Sequence, residues 1–294
     1  MSITNWVTSA PHRLRDRVNR GIRAAAGLSH EPPTACFDPL ESYLPVNGVA
    51  RLVHGDLPPM MIGGVASLFF EMLHPHTMAG VADHSRYQQD PLGRVLQTAN
   101  FIGATSFGSR QSAYAAIERV LAIHEGVRGV ADDGVAYYAN DPHLLRWVHC
   151  AGTSMFLRAY QRYGQQRLTS ADADQYVREV SVTARDMGVL DPPLSVEDLT
   201  FALEAFRPEL RLSSAGMTAR DFVAKGVVES AHQRVAYRLI VDAAYALMEP
   251  WALELLGVPA KPVVDRLIVR PAATLLSSAV RLAVPPARPV TLSD

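Results

Sequence analysis

The stretch Asn140–Gly164, NDPHLLRWVHCAGTSMFLRAYQRYG, decides how this chain is read. Asp141 offers an N-cap oxygen, and Pro142 fits the first helical position, where its missing N–H is harmless. Gly164 suits the position just past a helix end. Apolar residues recur between them at helical spacing, which predicts a helix over 141–163. Arg146 and His149 are three apart and share a face of that helix, with Leu145 and Thr153 flanking His149 at the four-residue spacing and Gly152 one turn further on. A mid-helix glycine costs about 1 kcal/mol relative to alanine, so the position calls for compensation by close approach of another backbone or of a flat ligand. A histidine with a glycine a turn away leaves room for a porphyrin, its iron on the imidazole and Arg146 facing a propionate or a polar oxygen species. The same spacing also describes a buried histidine hydrogen-bonded to a neighbour beside a tight helix contact, and pattern alone leaves both readings open.

Outward from this segment the same periodicity persists. Helices are predicted near 10–26, 58–84, 92–104, 109–127, 171–187, 196–207, 230–256 and 262–281, and nothing reads as alternating strands, so the class is all-α. One multi-helix domain over 45–280 is expected to enclose a pocket within a core helical bundle. Residues 1–44 are expected to form a basic helix and an irregular arm, 27–56 look irregular, and 281–294, with Pro285, Pro286 and Pro289, are expected to form a flexible tail. Arg13, Arg15, Arg17, Arg20 and Arg23 make the first helix basic, but its weak apolar face favours a solvated helix over a membrane-surface anchor.

Composition narrows the function. Apolar residues are 48% and charged residues 19% of the chain, a balance that folds rather than stays disordered. A net charge of −1 supplies no field for neutralising phosphates, so nucleic acid is not an expected partner. Two cysteines, Cys36 and Cys150, make neither a metal-type pair nor a disulfide framework. The N-terminus lacks a signal-peptide core, and the longest apolar run, Pro58–Phe70, stops at Glu71, so no transmembrane segment is expected and a cytoplasmic location is the default. No Gly-rich dinucleotide loop or phosphate loop is present. His124-Glu125 begins a zincin motif, but Arg128 stands at the second ligand position; Gly152-Thr153-Ser154 starts a nucleophile elbow without its strand. Chemistry therefore has to come from side chains projecting between helices.

Several segments in order carry a resemblance. His74-Pro75, His84-Ser85, Asp90-Pro91 and Arg94 with Thr98 form one block; His124, Val127, Gly129, Tyr138-Ala139 and Asp141-Pro142 form a second. Leu145-Arg146-Trp147-Val148-His149 is a third, followed by Leu247-Met248-Glu249-Pro250-Trp251 and Leu256-Gly257-Val258-Pro259. Over about residues 45–275 the chain resembles the MpaB and latex-clearing-protein (rubber-oxygenase-like) family of haem-b oxygenases. The resemblance implies an all-α haem-b protein with His149 as proximal iron ligand, Arg146 supporting it, and Leu145, Gly152 and Thr153 lining the cofactor. It further implies dioxygen as co-substrate, a small apolar substrate such as an isoprenoid, oxidised or cleaved at C=C, and an electron donor as a possible partner. Latex-clearing proteins can place a lysine on the distal side of the iron, whereas here no lysine precedes Lys225, which argues against rubber cleavage itself. His124, with Arg128, and Arg94, with Thr98, are the candidate distal groups; cap and carbonyl roles compete for each.

Two other classes compete. Glu71-x-x-His74 and Glu229-x-x-His232 repeat a pattern of di-iron carboxylate bundles, with Glu118 and Glu204 or Glu249 as further donors, although Pro75 disturbs the first. A non-catalytic haem carrier or sensor is the other. Tyr137, Tyr138, Trp147, Met60, Met61, Met72 and Met78 are read as interior packing.

Overall fold

The computed structural model describes residues 35–228 and 230–283. The predicted basic helix at 10–26 and the tail from Pro285 lie outside them, as does Glu229. Within them the regular structure is helical apart from one small hairpin and an isolated bridge between Ser42 and Ser109, as the periodicity requires. In chain order the elements are α1 (Val49–Gly55), α2 (Leu57–Glu71), α3 (Pro75–His84), α4 (Pro91–Phe107), α5 (Arg110–Glu125), β1 (Arg128–Val130), β2 (Ala136–Tyr138) and α6 (Pro142–Tyr163). There follow α7 (Ser170–Asp186), α8 (Val196–Phe206), a 3-10 turn (Arg207–Glu209), α9 (Ser214–Lys225), α10 (Ala231–Tyr245) and α11 (Pro250–Leu255). A short turn, Pro262–Val264, and a π-helical turn, Asp265–Val269, lead into α12 (Arg270–Ala283).

The central contact is α2 against α6. A Cβ on Gly63 would stand 3.1 Å from the Phe156 Cα and 3.1 Å from the Ala159 Cβ, so the two helices meet here only because residue 63 has no side chain. α7 and α8 pack on the flank of α6, α10 and α12 on α2, and α1 joins α2 to α7. The core between them holds Phe69, Phe70, Trp147, Met155, Tyr160, Tyr176 and Leu256, all buried. α4 packs on α5 and on α1.

The structure breaks two helices that periodicity predicts as continuous. The span 58–84 divides at Met72–His74 and turns by 106°, because Pro75 pushes His74 into extended backbone and takes the first position of α3. Remote groups satisfy the carbonyls freed there: Trp147 Nε1 donates to Glu71 O at 3.2 Å and Arg211 N to Leu73 O at 2.8 Å. The span 230–256 divides before Pro250 in the same way. Within the segment read as irregular, Val49–Gly55 is helical. Its N-terminus is held by the Glu179 carboxylate of α7, which accepts from Ala50 N at 2.7 Å and occupies the place of a Gly48 side chain. α9 and the β1–β2 hairpin are also absent from the predicted elements; the hairpin pairs only Arg128 with Tyr138, Gly129 with Tyr137 and Val130 with Ala136. Both cysteines are free thiols, Cys150 fully buried. Among the described residues no single helix is long and apolar enough to cross a membrane; α2 and α3 pass only as the bent pair.

One buried ion pair fastens α12. Arg281 donates to both Asp56 oxygens, at 2.8 and 2.7 Å, and to Tyr163 O, while Gln165 N donates to Asp56 Oδ2 at 3.1 Å. Asp56 and Arg281 are 6% and 16% exposed, so removing one partner strands a charge away from water. Asp56→Ala is therefore expected to lower unfolding free energy by about 3 kcal/mol, measured by urea denaturation, whereas Glu204→Ala, which breaks the exposed pair to Arg207, stays within about 0.5 kcal/mol of wild type.

Candidate functional site

The predicted α6 forms as read, with the Asp141 side chain accepting from His143 N at 2.9 Å. It carries Arg146, His149, Gly152, Thr153 and Phe156, and Gly152 faces the end of α2 that bears Ser67 and Glu71. His149 Nδ1 lies 3.4 Å from Thr153 Oγ1, whereas Nε2 is buried and has no hydrogen-bond partner. Burial, and then the charge of Arg146, push the imidazole pKa down to about 4, so the ring is neutral at pH 7. The Arg146 Nε is likewise buried without a partner, and the guanidinium makes no ion pair among the described residues.

Gly152 does not mark the close helix contact; Gly63 does. A Cβ on Gly152 would meet Ser67 Oγ at 3.6 Å, Glu71 Oε1 at 4.0 Å and Phe156 at 4.0 Å, all ordinary contacts. No backbone crowds it, and the space in front is faced by polar side chains of α2. Ser67 Oγ donates to Glu71 Oε1. Burial raises the Glu71 carboxyl to about 7, against the smaller opposing effects of that hydrogen bond and of Arg94. Ser67 escapes a reading of sequence, and Glu71 is read there only as a di-iron donor, because their place here depends on the register of α2 against α6.

Arg94, in the first turn of α4, is exposed, and its charge acts on both Glu71 and His124. His124 is half-buried near the end of α5, where Nδ1 lies 3.1 Å from Asn140 Oδ1 and Asn140 Nδ2 donates to Leu121 O. That link ties α5 to the residue before α6, the structural role that competes with a distal one. Burial, the larger effect, and Arg94 lower the His124 pKa, with the Asn140 hydrogen bond opposing them. Leu145 is buried against Ala184, Met187 and Val189 at the end of α7, and Thr153 is buried beside His149. Of the packing residues, Trp147, Tyr137, Met72 and Met78 are interior, while Met61 and Tyr138 are exposed. A surface cleft of about 90 Å³, lined in part by Phe70, Leu157, Arg158, Leu203, Glu249 and Trp251, touches neither His149 nor Gly152.

Among the described residues the di-iron donors His74, His232, Glu71, Glu204 and Glu249 form no common cluster. Glu71 faces Gly152, whereas His74, beyond the bend, faces Glu209; Glu249 pairs with Arg158, Glu204 with Arg207, and the His232 ring meets Ser230 on the surface.

The residues present fit an iron-bound group: His149 has a neutral ring, a buried and unpartnered Nε2, and Nδ1 beside a hydroxyl that can fix its tautomer. Gly152 has room for a Cβ, and Arg146 supplies a cation without a counterion among the described residues. This is a helical protein in which α6 presents a histidine with an unpartnered Nε2. The family described as "ER-bound oxygenase mpaB/B'/Rubber oxygenase, catalytic domain" matches residues 51–278, and the chain belongs to that oxygenase family. No curated protein and no solved structure matches the chain.

Two stability measurements separate a ligand site from a packing site. Gly152→Ala should raise the stability of cofactor-free protein by up to about 1 kcal/mol, because helix propensity improves without a clash; a loss would place a tight contact here after all. For Glu71, the folded-state pKa of about 7 stands above the ordinary 4.5, so the folded state holds an extra proton between these values and loses stability as pH rises through them. Glu71→Gln should match wild type near pH 4.5 and exceed it by about 2 kcal/mol above pH 7, followed by denaturant titration across pH.

Proposed function

We propose that this protein is a haem-b-dependent oxygenase of a small apolar, unsaturated substrate, with His149 as the proximal ligand. The observation that carries the reading is the neutral His149 ring, whose buried Nε2 has no hydrogen-bond partner, one turn before Gly152. Membership of the oxygenase family supports the use of dioxygen. Bound haem would supply the iron at which dioxygen is activated. Arg146, one turn before His149, would take a propionate, since it has no other ion-pair partner among the described residues.

With Thr153 Oγ1, 3.4 Å from His149 Nδ1, accepting a hydrogen bond from Nδ1–H, the ring would be oriented and Nε2 left as the lone-pair donor. Glu71, with a pKa of about 7, holds or releases a proton at Oε1 or Oε2 near neutral pH, within reach of the Gly152 face. The charge of Arg94 favours the ionised form of Glu71. An apolar substrate is supported by Leu92 and Val95 on α4, Leu68 on α2 and Val148 on α6, all exposed large hydrophobics on the helices around the site. Lys225 closes α9, which packs on α3 and α10, so no lysine is offered from α4, α5 or α6.

The reading is tested by spectra of the purified protein, oxidised and reduced, with a pyridine haemochrome assay. One haem b per chain is expected, absent from His149→Ala and restored in part by imidazole in the medium. Thr153→Val should keep haem but loosen its retention by about tenfold, as loss of an orienting partner does. Full haem occupancy with an unchanged spectrum in His149→Ala would overturn the ligand assignment.

A further inference from the structure

A second group of metal-type side chains lies apart from the His149 site, where the bend after α2 meets the start of α6. His74 precedes α3, His143 stands in the first turn of α6, and Glu209 ends the 3-10 turn after α8. Glu209 Oε2 lies 2.8 Å from His143 Nε2 and 3.5 Å from His74 Nε2, and the three donor atoms all lie within 4.8 Å of one another. Four-coordinate zinc with bonds of about 2.0–2.1 Å requires donors roughly 3.3 Å apart, a spacing these atoms reach by small side-chain rotations.

The second observation is His74 itself. Its side chain is 1% exposed, Nδ1 has no partner, and Nε2 has only the long 3.5 Å approach of Glu209 Oε2. A buried imidazole so poorly matched is costly unless a ligand takes one of its nitrogens. Its surroundings hold it in place: the rings of Trp147 and Phe206 lie 6.0 and 6.3 Å away, and Phe206 also stacks at 4.7 Å on His143. The other charged groups nearby are already matched, since Asp133 is held by Arg211 and by His76 at 3.0 Å. Glu209 has no partner among the described residues except the two histidines.

We propose that His74, His143 and Glu209 bind one divalent transition ion of the zinc class, as a structural clamp. Two imidazoles and a carboxylate form a borderline-soft donor set that suits Zn²⁺ and Co²⁺ over Ca²⁺ or Mg²⁺, with a water completing the tetrahedron. The ion ties together the α2–α3 bend, the first turn of α6 and the end of α8. It is independent of haem, being built from other residues.

The test uses the full chain carrying no polyhistidine tag, stripped with a chelator and titrated with Zn²⁺ and Co²⁺. One ion per chain is expected, with the ligand-field bands of four-coordinate cobalt and a rise in melting temperature on adding zinc. Outer-shell partners alone are worth about 10–100-fold in metal affinity, so His143→Gln and Glu209→Gln should each weaken binding by about a hundredfold or more and abolish the zinc-dependent rise. Both side chains are about half exposed, at 50% and 44%, so these variants keep the fold, which the melting of metal-free samples checks. His232→Gln, at an exposed histidine on α10, should bind as wild type does. No stoichiometric ion in wild type, or equal binding by wild type, His143→Gln and Glu209→Gln, overturns the site. Loss in His232→Gln instead would assign the ion to the surface. Haem content is read on the same samples and is expected to be unchanged.

Discussion

The approach of α2 to α6 at Gly63 is the constraint on which the rest of the molecule depends. With no side chain at 63, Phe156 and Ala159 seat directly on the α2 backbone, and both helices bury their inner faces along the contact. The helices do not stay equally close. At Gly63 a Cβ would stand 2.9 to 3.1 Å from its neighbours; at Gly152 the corresponding distances are 3.6 to 4.0 Å. One end of the pair is sealed by packing, while at the other Gly152 is faced by Ser67 and Glu71. A shift of α2 along α6 large enough to accommodate a residue-63 side chain would also displace Glu71 from the Gly152 face.

Charge is distributed to match. Asp56 is neutralised by Arg281, Glu249 by Arg158 and Asp265 by Arg162, which fastens the C-terminal helices. At the open end of α2–α6 the balance differs: His149 is neutral at pH 7, Glu71 is held near its midpoint by burial, and Arg146 has no acidic partner among the described residues. Such a surplus of positive charge is expensive for a packing interface and suited to an anionic flat cofactor. The alternative of a histidine hydrogen-bonded to a neighbour is met on Nδ1 by Thr153 but leaves Nε2 without a partner among the described residues.

What could be read from sequence was what one helix contains. α6 is legible in full because its cap, its proline and its periodicity are all local, and so are the shared faces of Arg146, His149, Gly152 and Thr153. α1 was not legible because its N-terminus is satisfied by Glu179, well over a hundred residues away in the chain. The break at His74 was signalled by Pro75, but the apolar period runs through it, and the carbonyls it frees are satisfied by Trp147 and Arg211 from distant elements. Glu71 was noticed for its spacing to His74 and assigned to the wrong grouping, since spacing along a presumed continuous helix puts the two on one face. His124 was read as a candidate distal group, and its hydrogen bond to Asn140 gives it a structural task as well.

That bend also explains why one short segment serves two polar sites. Across 106°, Glu71 remains with α2 and faces Gly152, whereas His74 begins α3 and faces His143. His143 and Gly152 are nine residues apart on α6, about 13 Å along its axis, too far for one mononuclear or dinuclear centre to use both carboxylate and imidazole. Trp147 lies between these positions, buried on Phe70 and Phe206, and its indole N–H holds the last carbonyl of α2. The bend is therefore fixed by the helix that carries His149, and the geometry that separates Glu71 from His74 is the geometry that brings Glu71 to the face of His149.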